Sequence, residues 1–195
     1  MNLRVATVDD ASAIADIYRP YVEETAITFE ETPPDADEIA ARMETTRSQY
    51  PWFVAERGEV LRGYAYAGEL RKRAAYRWAV ELSVYVDRNH HSEGFGYALY
   101  DALLSTLTEQ GYGSGYGVIT LPNPASVSFH ERFGFERVAL LSNVGYKLGE
   151  WHDVAWFERE LRSRRDEPSE PTPFSALDAE KTTEILRGAA AGDTE

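Results

Sequence analysis

Apolar residues change their spacing several times along the chain, and each change marks an element. LRVAT (3–7) is a short strand. Thr7 followed by Asp10 signals a helix start, after which Ile14, Ile17, Tyr18, Tyr21 and Val22 recur at helical spacing. Past the Pro33-Pro34 break, residues 35–47 predict a second helix. PWFVAE and VLRGYAYAG form a hairpin across Arg57-Gly58-Glu59. YRWAVELSVYV (76–86) is the strongest strand in the chain. A helix from about Gly94 to Glu109, a strand around YGVIT and a short helix from Pro124 to Phe133 follow, and strands near RVALLSN and DVAWFERE close the series. This alternation predicts an α/β (α+β) domain with a mixed sheet and helices on both faces.

In the strand 76–86, alternation assigns Trp78, Val80, Leu82, Val84 and Val86 to one face and Arg77, Ala79, Glu81, Ser83 and Tyr85 to the other. A carboxylate amid so apolar a strand is costly unless it is paired or faces a cleft. Burial raises its pKa toward the range useful for proton transfer, which makes Glu81 a candidate base; a salt bridge to Arg73 or Arg77 is the structural alternative.

Charge and composition narrow the functional classes. The 195 residues carry a net charge of −13, which disfavours nucleic acid and anionic membranes as partners. Three lysines stand against seventeen arginines, a balance that suits either concentrated salt or a GC-rich genome. No cysteine is present, so disulfides, zinc-thiolate sites and a Cys nucleophile are excluded. No apolar run suits a membrane span or a secretion signal, which predicts a cytoplasmic protein. A boundary near residue 165 divides a folded domain, 1–164, from an acidic tail, 165–195, expected to be largely disordered apart from one short helix within PFSALDAEKTTEILRG.

Several chemistries lack their motifs. His90, His91, His130 and His152 form no HExxH, so no metal site is expected, and GxSxG and GxxxxGK[ST] are absent. Gly94-Phe95-Gly96 lies where a strand turns into a helix, a place where backbone N–H groups can approach an anion.

Taken in order, the glycine turn after the central strand and Asn123-Pro124-Ala125-Ser126 leading into Phe133-Gly134-Phe135 resemble the GCN5-related N-acetyltransferase (GNAT) superfamily. AYRWAVELSVYV, LPNPASVSFHERFGF and NVGYKLGEWHDVAWFERE are similar to its phosphinothricin and methionine sulfoximine N-acetyltransferases, as are YPWFVAE and GYAYAG; the likeness covers roughly residues 2–162. It implies a mostly antiparallel central sheet, acetyl-CoA as co-substrate, direct transfer to the α-amine of a small amino acid or analogue, and a homodimer. The turn that cradles the acetyl-CoA pyrophosphate falls on His91, Ser92, Glu93, Gly94, Phe95 and Gly96; His91 replaces the usual Gln or Arg, and Glu93 adds a negative charge expected to weaken binding at low salt. The resemblance further places Val84 and Val86 beside the pantetheine and Asn123 on the cofactor arm. It makes Glu81 and His130 the catalytic pair, with Arg71, Arg73, Phe29 and Tyr76 around the acceptor. A transferase for another amine or a protein N-terminus, and an acyl-CoA sensor without turnover, are the competing readings; Glu93 and His91 favour the sensor.

Overall fold

The computed structural model describes residues 1–163 and 166–192. Seven strands form one sheet: β1 (Asn2–Val5), β2 (Trp52–Arg57), β3 (Val60–Glu69), β4 (Ala79–Val86), β5 (Ser114–Leu121), β6 (Glu136–Lys147) and β7 (Glu150–Glu160). Their order is β1-β2-β3-β4-β5-β7-β6, and every neighbouring pair is antiparallel except β4 with β5. The last two strands are longer than the periodicity indicated and make a continuous hairpin.

Both faces of the sheet are covered, as amphipathic helices require. On one face α1 (Ala11–Glu24) and α2 (Ala36–Thr46) bury Ile14, Tyr18, Val22, Ile39 and Met43 against Trp52, Val54 and Tyr64. An aromatic array joins these helices to the central strands: Tyr18 and Tyr21 both meet the ring of Tyr85 edge-on, with centroids 4.8 and 5.2 Å away. On the other face α3 (Phe95–Gln110) buries Ala98, Leu99, Tyr100, Leu103 and Leu107 over Phe53, Ala65, Val80 and Leu82. The alternation read from the sequence is therefore the observed one: Val80 and Leu82 enter the α3 core, and Tyr85 enters the α1 core.

The sheet is interrupted at its centre. β4 and β5 pair only from Ala79–Glu81 to Ser114–Tyr116, whereas β5 stays with β7 as far as Leu121 and Asp153. Each strand follows a different neighbour beyond Glu81. β4 remains in register with β3 to Val86, whose carbonyl accepts a 2.6 Å hydrogen bond from the Tyr21 hydroxyl on α1. β5 remains with β7 and carries α4 (Pro124–Arg132) at its end. The result is a wedge between two strands of one sheet.

The C-terminal segment carries the expected short helix, and more of it is folded onto the domain than a largely disordered tail would be. Trp78 Nε1 donates to the Ser169 carbonyl at 2.9 Å, and Gln110 Nε2 donates to Gln49 and Thr172 carbonyls at 2.9 and 2.8 Å. Phe174 meets Phe53 edge-on at 5.9 Å. α5 (Ala179–Ala191), capped by Asp178, then buries Leu186 and Ala189 in the α3 core. Composition misleads here because the acids lie on the solvent side while a few apolar residues at helical spacing face inward. Arg164 of the expected domain, and Arg165 and residues 193–195 of the expected tail, lie outside the described residues. Replacing Leu186 by Ala should cost about 2–4 kcal/mol in urea unfolding, the range for a core leucine; no change in the midpoint would mean that α5 is not part of the folded unit.

Candidate active site

The wedge opens into a cleft of about 780 Å³. Val84 and Val86 line its β4 side, Val118 its β5 side, Asn123, Ser126 and His130 its α4 side, and the turn leading to α3 its open end. Beyond Glu81, β4 has no β5 partner, so one edge of its backbone faces the cleft.

The turn is shaped by two left-handed residues, Ser92 at φ 63° and Gly94 at φ 87°. Glycine takes the second without steric cost, and α3 begins immediately after it. The first intrahelical bond runs from Ala98 N–H to the Gly94 carbonyl at 3.0 Å, leaving the N–H groups of Phe95, Gly96 and Tyr97 without a helical acceptor. This cluster of donors at the positive end of a 16-residue helix suits a phosphate. Only the backbone of Phe95 serves there, because its side chain is buried in the core. A Cβ on Gly96 would lie 3.4 Å from Val86 Cγ2, in ordinary contact, so the packing of the helix on β4 does not itself require glycine there.

Two residues of the turn behave differently from their expected roles. Glu93 does not line the cleft: its carboxylate is paired with Arg57 and accepts from His90 Nδ1 at 2.9 Å, and these partners hold its pKa below the usual carboxylate range. The expected repulsion of phosphate is thus largely neutralised. His91 donates from Nε2 to the Tyr21 hydroxyl at 2.8 Å, because that hydroxyl gives its own proton to the Val86 carbonyl. His91 therefore ties the turn to α1 and β4 as well as lining the cleft. Arg132, which sequence reasoning passed over, lines the cleft with its guanidinium 5.8 Å from the Tyr97 ring centroid, and makes no ion pair among the described residues. Its signal was available as the cationic last turn of α4.

Asn123 caps α4, its Oδ1 accepting from Ser126 N–H at 3.1 Å, which leaves its amide NH₂ for the cleft. His130 is only 6% exposed and is ringed by Tyr100, Phe129, Phe135 and Phe157. Its Nδ1 donates to the Ser126 carbonyl at 2.8 Å. Nε2 sits where a Cβ on Gly117 would be, 2.5 Å from that position. Burial lowers its pKa, so the ring is neutral.

Glu81 stands on the opposite face of the sheet from His130. It is level with Tyr116 across the β4–β5 pairing, while Gly117, the next residue, presents the other face to His130. The structure does not bring the two together as a pair. Burial raises the pKa of Glu81, with the Arg71 guanidinium opposing that shift. Arg71 lies over the Trp156 ring at 4.7 Å, and Tyr116 donates to Glu158 at 2.8 Å on the same face. Phe29, half-exposed, reaches this side from the loop after α1 and packs on Gly145. Arg73 is exposed, and its guanidinium makes no hydrogen bond or ion pair among the described residues; Tyr76 lines a separate hollow with Trp78, Thr108 and Glu170. Neither stands in the Glu81 cluster. Trp156 and Tyr116 were missed because strand alternation says which face a residue occupies, not what lies across the gap.

A sheet splayed at a parallel pair, with a helix start after β4 whose free N–H groups suit a phosphate, fits an acyl-CoA-dependent transferase architecture. The family model described as "Acetyltransferase (GNAT) domain" matches residues 3–156, and the chain belongs to that family. It is 39% identical to the phosphinothricin N-acetyltransferase of Streptomyces viridochromogenes over 89% of this chain and 92% of that protein. It is 36% identical to the L-methionine sulfoximine/L-methionine sulfone acetyltransferase of Pseudomonas aeruginosa, over 86% and 98% of the two chains. A crystal structure of a GNAT superfamily phosphinothricin acetyltransferase from Sinorhizobium meliloti in complex with acetyl-CoA superposes with a TM-score of 0.84 at 36% identity, covering 90% and 97%. The chain is an acetyl-CoA-dependent enzyme, and the open cleft and the helix start fit that co-substrate.

Neutralisation of Glu93 is open to test by titrating acetyl-CoA calorimetrically. Glu93→Gln should change affinity by less than about twofold, because that charge is already paired. Arg57→Met should weaken binding by about threefold at low salt, with the loss vanishing in molar KCl. A large gain in Glu93→Gln would mean that the carboxylate does face the phosphates.

Proposed function

We propose that the chain transfers the acetyl group of acetyl-CoA to the α-amine of a small amino acid or analogue of the methionine sulfoximine and phosphinothricin type, by direct attack in a ternary complex. The observation that carries this reading is the position of Glu81 at the vertex of the wedge, half-buried beside Arg71, on the face opposite the helix that would hold the phosphates.

Acetyl-CoA supplies an acetyl thioester whose carbonyl carbon takes the amine nitrogen as the carbon–sulfur bond breaks. The N–H groups of Phe95, Gly96 and Tyr97, with Arg132 and His91, bind the pyrophosphate. Val84, Val86 and the Asn123 amide flank the arm that runs down the wedge. On the other face Arg71 attracts an acceptor carboxylate or phosphinate oxygen. Glu81 takes the proton from the acceptor ammonium, which has no lone pair until it is lost. Its raised pKa brings it closer to that of an amine and favours this transfer. His130 acts as a positioning residue: its imidazole fills the space over Gly117 and fixes α4, and with it Asn123, against β5.

The same reading places the enzyme in the cytoplasm, where acetyl-CoA is made, with no nucleic-acid or membrane partner, and its acidic surface suits work in concentrated salt. It also makes the enzyme a homodimer. β6 is an edge strand exposed along almost its whole length, with Val138, Leu140, Leu141, Val144 and Tyr146 uncovered and Trp151 of β7 62% exposed. An apolar edge of this kind calls for a partner, and a second copy is the simplest one.

Glu81→Gln should lower kcat/KM for the amino-acid analogue by about a hundredfold or more and abolish the acidic limb of its pH profile. In the parent, activity rises with pH as Glu81 loses its proton, through a value above that of an ordinary glutamate. Unchanged turnover in the variant would remove Glu81 as the base. In sedimentation the parent should run as a dimer and Leu140→Glu as a monomer; a monomeric parent would refute the β6 interface.

A further inference from the structure

Lys147, at the end of β6, is the one buried lysine among the described residues, only 5% exposed. Burying an ammonium is costly and is normally compensated by a carboxylate. Here no carboxylate lies within ion-pairing distance among the described residues. Nζ instead donates to the backbone carbonyl of Thr28 at 2.8 Å. Glu30 and Glu31 act on it only at longer range, and Glu30 is engaged by Arg42 at 2.8 and 2.9 Å and by Tyr18 at 3.1 Å.

The bond joins two segments 119 residues apart. The loop after α1 leaves the β4 side of the wedge, where Tyr21 holds Val86, and passes Ile27, which lines the cleft. It ends against the β6–β7 hairpin, so it crosses from one side of the wedge to the other. Two contacts fasten its far end to the hairpin, and one ties it back to α1. Lys147 holds the Thr28 carbonyl, the Thr28 hydroxyl shares a 2.6 Å hydrogen bond with Tyr18, and the Phe29 ring lies flush on Gly145. A Cβ on Gly145 would fall 2.2 Å from that ring, so Gly145 leaves the space that Phe29 fills. The hairpin side is braced in turn, as His152 Nε2 donates to the Lys147 carbonyl at 3.0 Å.

We propose that Lys147 is a positioning residue for the acceptor: its buried ammonium pins the 25–32 loop across the wedge and so places Phe29 as a wall of the acceptor pocket, without touching substrate. This rests on the N-acetyltransferase reading above. The role assigns Lys147 mainly to acceptor affinity, because its own contacts involve neither the pyrophosphate turn nor α4, and of the loop it pins only Ile27 lines the donor cleft.

Lys147→Met keeps the length of the side chain and removes the donor. Gly145→Ala displaces Phe29 from the opposite side and leaves Lys147 in place. Each variant should raise KM for the amino-acid analogue by about tenfold, equivalent to about 1.4 kcal/mol. Calorimetric affinity for acetyl-CoA should change by less than about twofold, because Ile27 alone of the loop lines the donor cleft, and kcat should change far less than KM. An unchanged acceptor KM in both variants would overturn the proposal, as would a parallel loss of acceptor and acetyl-CoA affinity, the signature of general damage. Two variants guard against one failing to fold, which its melting curve would reveal. A parent that binds acetyl-CoA and turns over no amine would overturn the transferase reading, and this proposal with it.

Discussion

Three register pairs hold β4 to β5, and the site exists because there are no more. A sheet normally continues its ladder, since unpaired backbone groups are costly to bury. Here each strand is bound more extensively to its outer neighbour: β4 to β3 through seven registered pairs and β5 to β7 through eight. The two halves of the sheet diverge as units. The unpaired edge of β4 becomes a wall that an extended ligand can occupy.

That geometry divides the chemistry between two faces. On the α3 side stand the helix start, Arg132, Asn123 and the buried His130, the groups that the proposed mechanism gives to the donor. On the α1 side stand Glu81, Arg71 and Trp156, the groups it gives to the acceptor. In that mechanism donor and acceptor meet at the gap beside Glu81, the fold supplying alignment and one half-buried carboxylate the proton acceptor. The loop anchored by Lys147 spans the same gap and ties the two halves of the sheet together.

Local features were legible in the sequence. The alternation of β4 put Glu81 on the face opposite Val80 and Leu82, and the glycine at position 94 marked the turn before α3, where the structure has it left-handed. Longer-range features were not legible. Glu93 reads as a charge beside phosphate until Arg57, 36 residues earlier, is seen to pair with it. His130 reads as a catalytic residue, and nothing in the sequence shows that its ring also fills the space above Gly117. The acidic C-terminal segment reads as disordered because composition averages over faces, whereas Leu186, Ala189 and Phe174 decide its docking. Lys147 draws no reading from the sequence, because nothing in its neighbourhood there announces the Thr28 carbonyl.

The most direct test of the wedge as the donor site is amide hydrogen exchange with and without acetyl-CoA. Protection should concentrate in three segments: 82–86 on the free edge of β4, 92–97 at the start of α3, and 123–126 at the cap of α4. Strands β1 and β2, remote from the gap, should exchange as before. Protection elsewhere, or none at residues 82–86 despite saturating ligand, would contradict the account.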